Sequence, residues 1–269
     1  MTTEPDADFT LPGHGGPIVG HRWSPPGDPR YVVLLTHGYG EHSRRYDHLA
    51  SRLTADGAVL YAVDHIGHGR SAGERVLIED FDAVVDDVHL AEELARREHP
   101  SLPVTLIGHS MGGLIAARYA QRFGSGLRAV VLSGPLIGPA ALVSSMLALD
   151  EIPDVPLDPE ALSRDPEVGR AYSADPLVWH GPFKKPTVAA MDRALRAISA
   201  GGPLPVPALW LHGTDDPIVR YEDSAAGWAE IRPTDHAERT YPGARHEIFN
   251  ELDKDRTIDD AIAFLHERI

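Results

Sequence analysis

Apolar positions along the chain fall into short unbroken runs, separated by longer stretches in which they recur every three or four residues. The runs at 31–36 (YVVLLT), 58–63 (AVLYAV), 104–108 (VTLIG) and 129–133 (AVVLS) are nearly continuous, the pattern of strands buried on both faces. Stretches 45–55, 81–99 and 111–123 carry apolar residues on one helical face and charge on the other, which predicts amphipathic helices. This alternation predicts an α/β fold, a mostly parallel central sheet with helices on both faces. Segment 18–23 reads as an antiparallel edge strand, joined to the sheet through the turn-rich loop 24–29 (SPPGDP).

After Gly134-Pro135 the rhythm breaks. Residues 136–205 are dotted with prolines and read as helical without a clear strand. The pattern resumes with a strand at 206–212, a helix near 222–230, a strand near 238–241 and a last helix at 257–268. The expected organisation is therefore a core formed by 1–135 and 206–269, interrupted by a helical cap at 136–205. Within the cap, 139–149 (PAALVSSMLAL) is apolar on more than one face, so it either packs on the core or presents a greasy patch to an acyl chain or a lipid surface.

Composition narrows the function. The 269 residues carry 25 Lys+Arg against 40 Asp+Glu, a net charge of −15, which disfavours nucleic acid and anionic membrane as general partners. Cysteine is absent, so disulfides, thiolate catalysis and cysteine-ligated metals are excluded. The first nine residues are polar and acidic, without the pattern of a secretion signal. No apolar stretch approaches the roughly 20 residues that span a bilayer. The expectation is a cytoplasmic protein, or one peripherally associated with membrane or cell wall.

The strongest chemical signal is Gly108-His109-Ser110-Met111-Gly112, a G-x-S-x-G between a predicted strand and a predicted helix. Small residues flank the serine because a sharp strand-to-helix turn leaves no room for side chains, and the helix N-terminus then offers amides to an oxyanion. A serine nucleophile needs a base, and the base needs an orienting carboxylate. His212-Gly213-Thr214-Asp215-Asp216 follows one predicted strand and Gly243-Ala244-Arg245-His246 follows the next. Asp216 is favoured over Asp215, which suits a turn residue bonding local amides. Ser110, Asp216 and His246 then stand in the chain order of the α/β-hydrolases. His109 adjoins the serine too closely to serve as its base, and His236 and His266 sit in polar helical or loop stretches. The loop Thr36-His37-Gly38-Tyr39-Gly40 is placed to supply a second oxyanion donor, so the Tyr39 and Met111 N–H groups are the expected pair. Asp64-His65-Ile66-Gly67-His68 invites a metal reading, but its alternating glycines suit a tight turn better than a ligand set. No G-x-G-x-x-G nucleotide loop follows a strand. Neither a metal nor an organic cofactor is expected.

At these residues the sequence resembles the monoacylglycerol lipases, serine hydrolases grouped near the lysophospholipases, and most closely their actinomycete-like bacterial members. The resemblance rests on the string from His37 to Tyr46 (HGYGEHSRRY), on Gly67-His68-Gly69-Arg70-Ser71, on the Ser110 turn and on the Asp216 and His246 loops. It extends to 163–168 and 175–178 within the cap. It implies cleavage of a small lipid ester, monoacylglycerol, to glycerol and fatty acid, with the cap over an acyl tunnel. Ile66 departs from the arginine that related hydrolases often carry, which puts a salt bridge in that turn in doubt. Glu41 and Arg45 resemble residues around the glycerol end of the family's site, or they form a salt-bridged helix start. A general carboxylesterase, lysophospholipase, thioesterase or peptidase, and a catalytically idle receptor of the same fold, are the alternatives.

Overall fold

The computed structural model describes residues 3–269. Eight strands, β1 (Ala7–Gly13), β2 (Gly16–Trp23), β3 (Tyr31–Thr36), β4 (Ala58–Val63), β5 (Val104–His109), β6 (Ala129–Ser133), β7 (Ala208–Gly213) and β8 (His236–Tyr241), form one sheet. Its order is β1-β2-β4-β3-β5-β6-β7-β8. β2 is antiparallel to β1 and to β4, and every pairing from β4 onward is parallel. This is the α/β-hydrolase fold.

Every residue of β3, β4, β5, β6 and β7 is buried, as their unbroken apolar runs require when helices cover both faces. Because side chains alternate across a strand, Val32 and Leu34 enter one core and Val33 and Leu35 the other. The first core is closed by α2 (Phe81–Glu98) and α3 (Met111–Phe123). The second is closed by α1 (Asp47–Ala55) and α8 (Lys254–His266).

Two expectations are corrected. The segment 18–23 is antiparallel, but β2 is interior to the sheet: β1, drawn from the polar N-terminal stretch, is the edge strand. In β1 exposed positions alternate with half-buried or buried ones, so no apolar run marks it. Loop 24–29 leads into β3, which does not neighbour β2. His236, expected in a helical or loop stretch, instead opens β8, where it is exposed.

Between β6 and β7 the chain forms α4 (Ala141–Leu147), a single 3-10 turn at Pro159–Ala161, α5 (Pro166–Ala174) and α6 (Lys185–Gly201), and contributes no strand. Asp158 and Asp165 cap the second and third of these with side chains that accept from Glu160 and Glu167 N–H. α6 buries Val188, Met191, Leu195 and Ile198 in the same core as α3, whereas α4 leaves Leu142 exposed. α7 (Tyr221–Ile231) follows β7. No helix among the described residues is long and apolar enough to cross a membrane.

Candidate active site

Ser110 sits at the break between β5 and α3 with φ 56° and ψ −121°. A non-glycine residue holds such a conformation only where its surroundings impose it. Here a Cβ on Gly108 would come within 2.3 Å of the Gly112 carbonyl oxygen, and one on Gly112 within 2.0 Å of the Thr36 oxygen. The backbone therefore passes where only glycine fits. The Ser110 N–H donates to Ser133 O at 3.0 Å, and its carbonyl accepts from Gly113 and Leu136 N–H at 2.8 and 3.0 Å. The turn is tied to the next strand and to the segment beyond it.

The hydroxyl oxygen lies 2.8 Å from Nε2 of His246, whose Nδ1 lies 2.7 Å from Oδ2 of Asp216. Oδ1 of Asp216 accepts from the Ile218 and Val219 N–H groups at 2.9 and 3.0 Å. Asp215 is exposed and accepts from the Thr214 hydroxyl at 3.0 Å. Burial alone would raise the Asp216 pKa, but His246 and His212 outweigh it and hold the carboxyl well below its usual range. Burial alone would lower His246, but Asp216 outweighs it and raises the imidazole above its ordinary value. His109 is engaged elsewhere, its Nδ1 3.0 Å from Ser133 O, and its ring lies 4.7 Å from that of His246. Burial, reinforced by repulsion from His246, lowers His109 to about 4.

A cavity opens above the serine. Its walls are apolar on the side of Leu142, Val143 and Met146 of α4, with Met191 of α6 and Ile218 facing them. Tyr39 and Met111 also line it, and neither backbone N–H has an acceptor among the described residues. The cap is fastened to the Tyr39 loop: the Tyr39 ring stacks on Phe183 at 4.4 Å. Gly40 O accepts from Trp179 N–H at 2.7 Å, and His42 Nε2 meets Asp175 at 2.8 Å.

Glu41, Arg45 and Glu247 line the polar end of the cavity, with Arg45 paired to both carboxylates. Arg45 Nη1 donates to Glu41 Oε2 at 2.7 Å and to Glu247 Oε1 at 2.6 Å, and Nη2 to Glu247 Oε2 at 2.8 Å. Glu41 Oε1 accepts from Gly38 N–H at 2.6 Å and from Tyr46 OH at 2.7 Å. The salt-bridged arrangement is therefore present, and both residues also line the cavity. The Arg45 guanidinium lies 5.0 Å from the Tyr172 ring of α5, and Glu247 N–H donates to Leu162 O at 2.7 Å. Burial alone would raise Glu247, and Arg45 outweighs it and lowers the carboxyl.

Sequence reading did not single out Glu247, His212 or Tyr172. For Glu247 the only signal was its position directly after the candidate base.

His37, His65 and His68 cluster beneath the Tyr39 loop, but no group of three or more His, Asp or Glu among the described residues is arranged to hold a metal. His37 Nε2 accepts from His65 N–H at 3.0 Å and Nδ1 donates to Gly38 O at 2.8 Å, so this imidazole braces the loop. Ile66 packs against Gly15 and Gly73, an apolar contact in the turn where a salt bridge was in doubt.

The family described as serine aminopeptidase, S33, matches residues 27–253. A monoacylglycerol lipase of Mycolicibacterium smegmatis is 39% identical over 98% of this chain and 99% of its own length. Human monoglyceride lipase is 33% identical over 86% of this chain and 80% of its own. Among solved structures, a monoacylglycerol lipase of Paleococcus ferrophilus superposes with a TM-score of 0.78 at 28% identity, covering 92% of this chain and 98% of that one.

Proposed function

The chain belongs to the serine aminopeptidase S33 family, and we propose that within it this protein is a monoacylglycerol lipase, a carboxylic ester hydrolase that releases glycerol and a free fatty acid. The observation that carries the reading is the chain of contacts from Ser110 through His246 to Asp216, opening onto a cavity with one apolar side and one polar end.

In this reading Ser110 attacks the ester carbonyl while His246 removes its proton, and Asp216 orients the imidazole and stabilises its cation. The unengaged Tyr39 and Met111 N–H groups receive the oxyanion. His246 then passes the proton to the leaving glycerol oxygen and activates water to release the acyl group. The acyl chain runs along Leu142, Val143 and Met146, and the glycerol faces Glu41, Arg45 and Glu247. No residue role in this sequence requires a metal or an organic cofactor. The apolar residues that the cap turns outward, Leu149 at 42% and Val155 at 67% exposure, support a peripheral contact with lipid.

A substrate panel tests the assignment. Rates on 1-acylglycerol, triacylglycerol, lysophospholipid, acyl thioester and aminoacyl arylamide of matched acyl length should give the highest kcat/KM for 1-acylglycerol. A preference for the arylamide would make the protein a peptidase and overturn the reading.

A further inference from the structure

The carboxylate of Asp216 has a second histidine against it. His212, in β7, is fully buried. Its ring stacks on Trp210, with centroids 5.3 Å apart at 25°, and meets the edge of Tyr221 at 5.9 Å. Held in that plane, Nε2 lies 2.9 Å from Val219 O and 3.3 Å from Asp216 Oδ2. A carbonyl and a carboxylate only accept, so Nε2 is the nitrogen that carries the hydrogen. Nδ1 is buried and has no partner among the described residues, so a proton there would have nothing to bond.

We propose that His212 is a positioning residue of the triad, whose Nε2–H spans Val219 O and Asp216 Oδ2 and divides the carboxylate's charge between two imidazoles. The proposal rests on the assignment of Ser110, His246 and Asp216. Oδ1 of Asp216 is already taken by the Ile218 and Val219 N–H groups. Among the described residues, Oδ2 meets only His246 and His212. Val219 is thus held from both sides, its N–H on the carboxylate and its carbonyl on His212. The 216–219 turn becomes a closed ring of bonds that aims Oδ2 at His246. Removing the His212 donor frees the turn and leaves Oδ2 with His246 as its one remaining partner. The imidazolium is then better stabilised and the base stays protonated to higher pH. The other titratable groups that His246 faces are His109 from β5, Glu41 with Arg45 from the loop after β3, and Glu247 beside it. None of them changes in the test below.

His212→Phe keeps the ring between Trp210 and Tyr221 but has no N–H, and His212→Gln restores a donor at about the same reach. The substrate is a p-nitrophenyl ester of a short acid, which needs neither the lipid cavity nor the glycerol end. For His212→Phe, kcat should fall about ten- to a hundredfold with KM nearly constant. The acid limb of kcat/KM should move to higher pH, and the low-field imidazole N–H resonance of His246 should shift. His212→Gln should return all three towards the unmutated enzyme. A phenylalanine variant with an unmoved acid limb and resonance, whatever its rate, overturns the proposal, as does a glutamine variant that behaves like phenylalanine. Nitrogen-15 NMR of the unmutated enzyme needs no variant to fold: it should find Nε2 of His212 protonated and Nδ1 bare, and the reverse tautomer refutes the assignment. Failure of a fluorophosphonate to label Ser110 would instead strike the triad reading and leave the tautomer result standing.

Discussion

The Ser110 hydroxyl and the His246 imidazole, 136 positions apart in sequence, meet at 2.8 Å with the serine held at positive φ. A hydroxyl so placed is activated only through that contact. Ser110→Ala should therefore lower ester hydrolysis by about four orders of magnitude or more while the circular dichroism spectrum and melting temperature stay near those of the unmutated protein. Retention of wild-type turnover would remove Ser110 as the nucleophile.

Arg45 lies between two buried carboxylates, with side-chain exposures of 9% for Arg45 and 5% for Glu41 and Glu247. Arg45→Ala leaves those carboxylates uncompensated, and breaking such a cluster costs about 3–5 kcal/mol. Thermal or urea unfolding should report a loss of that order. Arg45→Lys should recover only part of it, because an ammonium cannot match the two-pronged contact with Glu247. A variant as stable as the parent would show that the cluster contributes nothing net.

Acid should destabilise the fold in a defined window. Burial, partly opposed by Asp64, lowers His37 to about 4, and burial with repulsion from His37 lowers His68 to about 3. His109 is lowered to about 4. Below the ordinary imidazole value of 6.5 the unfolded chain binds protons that these three sites refuse. Stability must then fall as the pH drops from 6.5 towards 4, by roughly 1.4 kcal/mol per pH unit for each withheld proton. His246 has the opposite sign: its raised pKa stabilises the fold fully below its unfolded value, and that contribution is lost as pH rises through the folded one. The same shift places the acid limb of kcat/KM above the ordinary histidine value, since the base must be neutral to act. Denaturation midpoints measured from pH 7 to pH 4 should decline, and a flat profile would contradict the buried neutral state of these imidazoles.

Much of this architecture is readable along the chain because β3 to β7 are buried on both faces and must be apolar throughout. β1 escapes that logic: one of its faces meets water, and its partner is simply the next segment of a hairpin. Ser110, the proposed nucleophile, is legible for a steric reason, since Gly108 and Gly112 are dictated by carbonyl oxygens lying where a Cβ would stand. Glu247 was not legible, because a glutamate after a histidine reads as one more surface charge until Arg45, 202 positions away, is seen to bond it.

Local rules written into the chain settle whatever depends on neighbours in sequence: the period of each element, the glycines of the Ser110 turn, and the order in which nucleophile, carboxylate and base appear. Which of two adjacent aspartates faces His246, and that Glu41, Arg45 and Glu247 form one cluster, were decided only when loops from distant strands met. The same holds for His212 beneath Asp216. The strength of a hydrogen bond or an ion pair depends on distance, angle and exclusion of water, and those quantities exist only once the sheet has brought the loops together.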